Sequence, residues 1–140
     1  MNARKAPTTP MTPTQVRERA QQARDWLKNA ELIDLMHEDS GIAGPRNQIA
    51  SAAIFAGIAA ADAICGRHLG ERSAAMDHAA ATALLAKAGP NGRTLSVHLR
   101  RLINEKSNVN YGDREISRGT LVIVVRSAES LVAALDVELR

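Results

Sequence analysis

Arg72 and His78 stand with five residues between them in the segment Arg72-Ser-Ala-Ala-Met-Asp77-His78. An arginine with a histidine suits cleavage of a phosphodiester. The imidazole moves protons near neutral pH, and the guanidinium stabilises the charge that builds on the phosphoryl oxygens. Positions 72 and 78 are not stacked neighbours on a regular helix, so an irregular helix start is needed to bring them together. The competing use of His78 is structural, as a core or dimer contact held by Asp77 or a backbone group. A second candidate is Asp62, the one carboxylate inside a long apolar run. Burying it is costly unless it is paired. Arg72, His78 or Lys106 on a neighbouring element are its expected partners, and a structural ion pair is the expected role. A third group is Arg100, Arg101, Asn104, Lys106, Asn108, Asn110 and Tyr111. This basic, amide-rich stretch with an adjacent tyrosine suits the gripping of RNA phosphates. It would serve equally as a solvated face with Tyr111 closing a loop onto the protein.

Other chemistries find little footing. His37, His68, His78 and His98 are scattered, and no two stand four apart. No zinc or di-iron site, and no other cofactor, is therefore expected. No Gly-x-Ser-x-Gly turn is present, and GRHLGER lacks the strand and spacing of a phosphate-cradling loop. Cys65 is the only cysteine and has apolar neighbours. It reads as a packed thiol in a reducing, cytoplasmic chain. The N-terminus starts positive but carries no apolar stretch of the signal-peptide kind. The run Ile49 to Cys65 is short and is interrupted by Asp62, so no membrane span is expected. A net charge of +3 tolerates a nucleic-acid partner without demanding one.

The elements that must position these residues read as helices. The chain has 140 residues, 45% hydrophobic and only 2% aromatic, so its core must be Ala, Leu, Ile and Val. Such a core suits closely packed helices. Residues 1–11 show no periodic apolar pattern and are expected to form a flexible tail; residues 12–140 form one domain. Thr12, Pro13 and Gln15 make a capping box that starts helix one. Val16, Ala20, Ala23, Leu27 and Ala30 give it one apolar face, with Trp26 covering the core's edge, and it reaches His37 or Asp39. The break DSGIAGP follows. Pro45–Leu69 is helix two, apolar nearly all round and rich in alanine, smooth enough for close bundle or dimer packing. Ser73 is the expected cap of helix three, which ends at Gly89-Pro90-Asn91-Gly92. Helix four runs from about Thr94 to Asn108, and NVNYGD is a loop. Ser117 caps helix five, where LVIVV keeps a helical period through Leu139. The expected fold is an all-α, up-and-down bundle of about five helices.

The segments SAAIFAGIAAADAICGRHLGERSAAMDHAAATALL, LRRLINEKSNVNYGDREIS and SAESLVAAL together resemble a HEPN domain. The resemblance spans about Gln48 to Leu139. It rests on the small-residue helix followed by Asp77-His78 and on the turn from Lys106 to Tyr111-Gly-Asp. It implies a four- or five-helix bundle, commonly dimeric. Many such domains are toxin or defence ribonucleases, others are inactive scaffolds, and several stand beside a nucleotidyltransferase as a toxin–antitoxin pair. The family's site is an arginine, four to six residues, then a histidine, near the turn between helices four and five and facing the dimer mate. In this chain Lys106 stands where that arginine belongs, with Asn110 or Tyr111 in the histidine's place. The formal match, Arg72 to His78, lies earlier in the chain. The resemblance thus implies a metal-independent endoribonuclease acting as a homodimer on RNA, with a cognate antitoxin or nucleotidyltransferase as a further partner. Its alternative is an inactive dimerisation or protein-interaction module.

Overall fold

The computed structural model describes residues 5–140, and among them the elements run β1 (Thr8–Pro10), α1 (Pro13–Ser40), α2 (Pro45–Leu69), β2 (Glu71–Ser73), α3 (His78–Ala86), α4 (Gly92–Tyr111) and α5 (Arg118–Glu138). The architecture is an all-α bundle of five helices with one two-stranded ribbon.

The helix starts follow local chemistry. Thr12 accepts from the Gln15 backbone at 3.2 Å while the Gln15 side chain accepts from Thr12 N–H at 2.9 Å, so the capping box closes in both directions. Ser117 caps α5 by accepting from Thr120 N–H at 3.1 Å. The β-branched run LVIVV is helical within α5, because the apolar period across the whole segment outweighs the strand preference of five residues. Helices α1 and α2 each stop at a left-handed glycine, Gly41 and Gly70.

Three expectations are corrected. The stretch Met1 to Met11 is not a tail throughout. Residues 1–4 lie outside the described residues, but Thr8–Pro10 pairs antiparallel with Glu71–Ser73. Met11 N–H and Ala74 N–H extend that ribbon to Gly70 and Pro7, since the irregular link after α2 offers backbone groups that need partners. Ser73 is consequently a strand residue, and α3 is capped by Asp77, whose carboxylate accepts from Ala79 N–H at 2.9 Å. Helix α4 continues to Tyr111, so most of NVNYGD is its last turn.

Helix α2 is the centre of the bundle. Helices α1, α4 and α5 all pack on it. Between Ile49 and Gly66 every residue is buried except Ser51, Phe55, Ile58 and Asp62. By length and composition alone α2 could cross a membrane, but most of its surface is enclosed by the other helices. The close approach is concrete at Gly57, where a β-carbon would collide with the side chain of Leu102 from α4 and come within 3.2 Å of Leu131 from α5.

Candidate active site

The four unburied positions of α2 fall at spacings of four, three and four residues, which is one stripe along a helix. The stripe faces a gap. Helices α1 and α4 lie on either side of it without forming an interface with one another. At one end of this gap is a cavity of about 210 Å³, lined by Ile58, Asp62 and Cys65 from α2, Arg19 from α1, Leu99, Ile103 and Lys106 from α4, Arg72 from β2 and His78 from α3. The residues singled out as Arg72, His78, Asp62 and Lys106 thus meet at one site, although they come from four separate elements.

The irregular start needed for Arg72 and His78 is the β2 strand and the turn after it. Arg72 is held in the ribbon opposite Thr9, and His78 is the first residue of α3, exposed at the cavity's edge. Arg72 makes no ion pair among the described residues, and neither does Lys106. Asp62 does pair, but with Arg19, a residue sequence reasoning did not single out. Arg19 donates through Nε at 3.0 Å and Nη2 at 2.9 Å, both to Asp62 Oδ2, and its Nη1 is anchored on Gln22. The signal for Arg19 lay in the hairpin: Asp62 is far along α2 and so faces the first third of α1, where Arg17 and Arg19 are the cations. Burial pushes the Asp62 carboxyl above its ordinary value of 3.8, while the Arg19 guanidinium pulls it down and Arg72 adds a smaller pull. With Asp62 bonded to Arg19, two cations that make no ion pair among the described residues, Arg72 and Lys106, stand beside a histidine, an arrangement that favours an anion.

Cys65 lies on the cavity floor as a buried thiol. Burial first, then the charges of Asp62 and Glu71, push it to about 12, so it is no nucleophile at neutral pH.

The remaining candidates are placed elsewhere. Asp77 is spent on capping α3. Asn110 accepts a hydrogen bond from Ser51 at 2.7 Å and ties the end of α4 to α2. Tyr111 is 82% exposed and closes nothing onto the bundle. Arg101 is exposed on α4, where its charge adds to the burial that holds His98 below 6.5. The turn from α4 to α5 therefore does not join Arg72 and His78, because α4 runs antiparallel to α2 and carries its last residues to the opposite end.

A second polar cluster escaped sequence reasoning altogether. Glu138 at the end of α5 is buried, bound by His68 Nε2 at 2.5 Å and by Asn91 Nδ2 at 2.9 Å. It locks three chain segments together, and its partners satisfy both carboxylate oxygens. Among the described residues no three metal-binding side chains gather. In comparison with known proteins, the chain matches no family model and no curated sequence.

Proposed function

We propose that this chain is a HEPN-like, metal-independent endoribonuclease of a toxin–antitoxin or defence system, acting in the cytoplasm as a homodimer. The observation that carries the reading is the convergence of Arg72, His78 and Lys106 on one cavity. The sequence resemblance supplies the reaction class. His78 takes the proton of the RNA 2′-hydroxyl, and the 2′-oxygen attacks the adjacent phosphorus. The bond from phosphorus to the 5′-oxygen breaks, leaving a 2′,3′-cyclic phosphate, and His78 gives its proton to the departing 5′-oxygen and returns to its neutral form. Arg72 and Lys106 hold the phosphoryl oxygens, whose charge grows in the transition state. Asp62 keeps Arg19 oriented along the wall of the site.

RNA cleavage measured in EDTA tests this. His78→Ala and Arg72→Ala should each slow cleavage by about a hundredfold or more, with unchanged circular dichroism. Equal rates in wild type and His78→Ala would remove His78 from the mechanism.

One observation favours a second reading, a non-catalytic module that dimerises or holds an antitoxin or nucleotidyltransferase. Leu32, Leu35 and Met36 on α1 and Val122 and Ile123 on α5 are exposed apolar side chains. Production of the chain alone separates the two: a ribonuclease toxin arrests growth and a scaffold does not.

A further inference from the structure

Trp26 and Phe55 are two of the three aromatic residues in the chain. Their rings stack across α1 and α2 with centroids 5.0 Å apart and a 34° tilt. They are 37% and 38% exposed, an unusual state for a chain with so few aromatics to place in its core. Their position is not arbitrary. Trp26 follows Arg19 by seven residues, and Phe55 precedes Asp62 by seven. Two turns of helix return to nearly the same face, so the aromatic pair lies on the face of the Arg19–Asp62 pair, about 10 Å farther along the hairpin. Ile58 sits between Phe55 and Asp62 on the same stripe and lines the cavity. The gap between α1 and α4 therefore has a cationic end with the histidine and an aromatic end, joined by one apolar residue.

We propose that this groove binds single-stranded RNA, with an unpaired base stacked on the Trp26–Phe55 pair while the neighbouring phosphate occupies the Arg72–Lys106 cavity. This inference rests on the ribonuclease reading for the identity of the polymer, and its test is separable from cleavage. The charge selects the occupant. Arg72 and Lys106 make no ion pair among the described residues and line one end, so the ligand is anionic there. It is flat and apolar a short distance away, where aromatic faces are offered. A nucleotide strand has both features, and stacking on aromatic rings tolerates any base. A duplex does not fit, because its bases are stacked on one another and cannot reach a partly recessed ring pair.

Trp26 is the only tryptophan, so its emission reports on this surface alone. The experiment titrates the full chain with a short 2′-O-methyl oligoribonucleotide, which lacks the attacking hydroxyl and cannot be cut. The expected result is quenching of Trp26 emission that saturates with the binding seen by anisotropy of a labelled oligonucleotide, and no quenching by the matching duplex. Trp26→Leu should weaken binding by about tenfold to hundredfold. Phe55→Leu, which keeps the reporter, should weaken both binding and quenching. Anisotropy without any change in Trp26 emission overturns the proposal, and so does an absence of binding at low salt. A change in emission with protein concentration alone, without oligonucleotide, also overturns it and assigns the pair to contact with a second copy. Quenching in a chain that does not cleave ordinary RNA sinks the ribonuclease reading only; His78-dependent cleavage without quenching sinks the stacking proposal only.

Discussion

Asp62 and Cys65 show what one buried charge does to its neighbours. Asp62 is acceptable in the apolar helix because Arg19 binds it twice; the pair is partly exposed, and its gain over solvation is correspondingly small. Its negative charge also bears on Cys65, three residues on, together with burial and Glu71. A thiol near 12 rather than 9.0 holds about a thousandfold less thiolate. Alkylation of the native chain by iodoacetamide at mildly alkaline pH should accordingly run at least about a hundred times slower than in urea. Mass spectrometry of the modified chain reads this directly, and comparable rates in the two states would show that Cys65 is open to solvent.

At the scale of the element, α2 depends on having almost no side-chain bulk on its buried faces. Alanine and glycine let α1, α4 and α5 approach together, and Gly57 is the tightest point. Valine at this position gains nothing in helix propensity that offsets the collision with Leu102 and Leu131, both fully buried. Gly57→Val should lower stability by about 2 kcal/mol, seen as a fall in Tm, with the far-ultraviolet spectrum still helical. The substitution lies away from the Ser51–Phe55–Ile58–Asp62 stripe, so site chemistry in the folded fraction should be retained. A Tm equal to that of wild type would mean that the helices part more readily at Gly57 than their packing indicates.

At the scale of the molecule, the bundle is fastened at both ends by contacts distant in sequence. At one end Glu138 of α5 joins His68 and Asn91. At the other, Gly44 gives α2 no side-chain cap, and Glu115 substitutes for one by accepting from Arg46 N–H and Nε, both at 3.1 Å. Asn47 adds a second tie, accepting from Ile116 N–H at 2.8 Å and donating to the carbonyls of Val109 and Arg114. The Arg46 hydrogen bonds hold the Glu115 carboxyl below its ordinary value of 4.5. A carboxyl lowered by folding stabilises the folded state above its unfolded pKa, and that contribution is lost as pH falls through its folded pKa. The urea midpoint of wild type should therefore exceed that of Glu115→Gln at neutral pH, with the difference closing in acid below about pH 4. Asp62 has the opposite sign, since its carboxyl is raised, but it is common to both proteins and cancels in the difference. A gap that persists unchanged into acid would assign the role of Glu115 to its shape and not its charge.

The number of helices and most of their ends were legible in the sequence alone. Thr12, Ser117 and the glycines at 41 and 70 act within a few residues of themselves, so local chemistry suffices to place them. The apolar period of Pro45–Leu69 announced a buried helix, and the lone Asp62 announced a partner. Arg72 and His78 were legible as a pair by type. What it could not supply was anything decided by register between elements. Arg19 rather than Arg72 meets Asp62 because the α1–α2 hairpin sets which residues face each other. Thr8–Pro10 becomes a strand only because Glu71–Ser73 lies beside it. Tyr111 and Asn110 leave the site because α4 runs antiparallel to α2, and Trp26 meets Phe55 because the two stand across the hairpin. Contacts between segments far apart in the chain depend on how the helices pack, and only that packing brings Arg72, Lys106 and His78 to one cavity and sets Trp26 against Phe55 on the neighbouring turns of the hairpin.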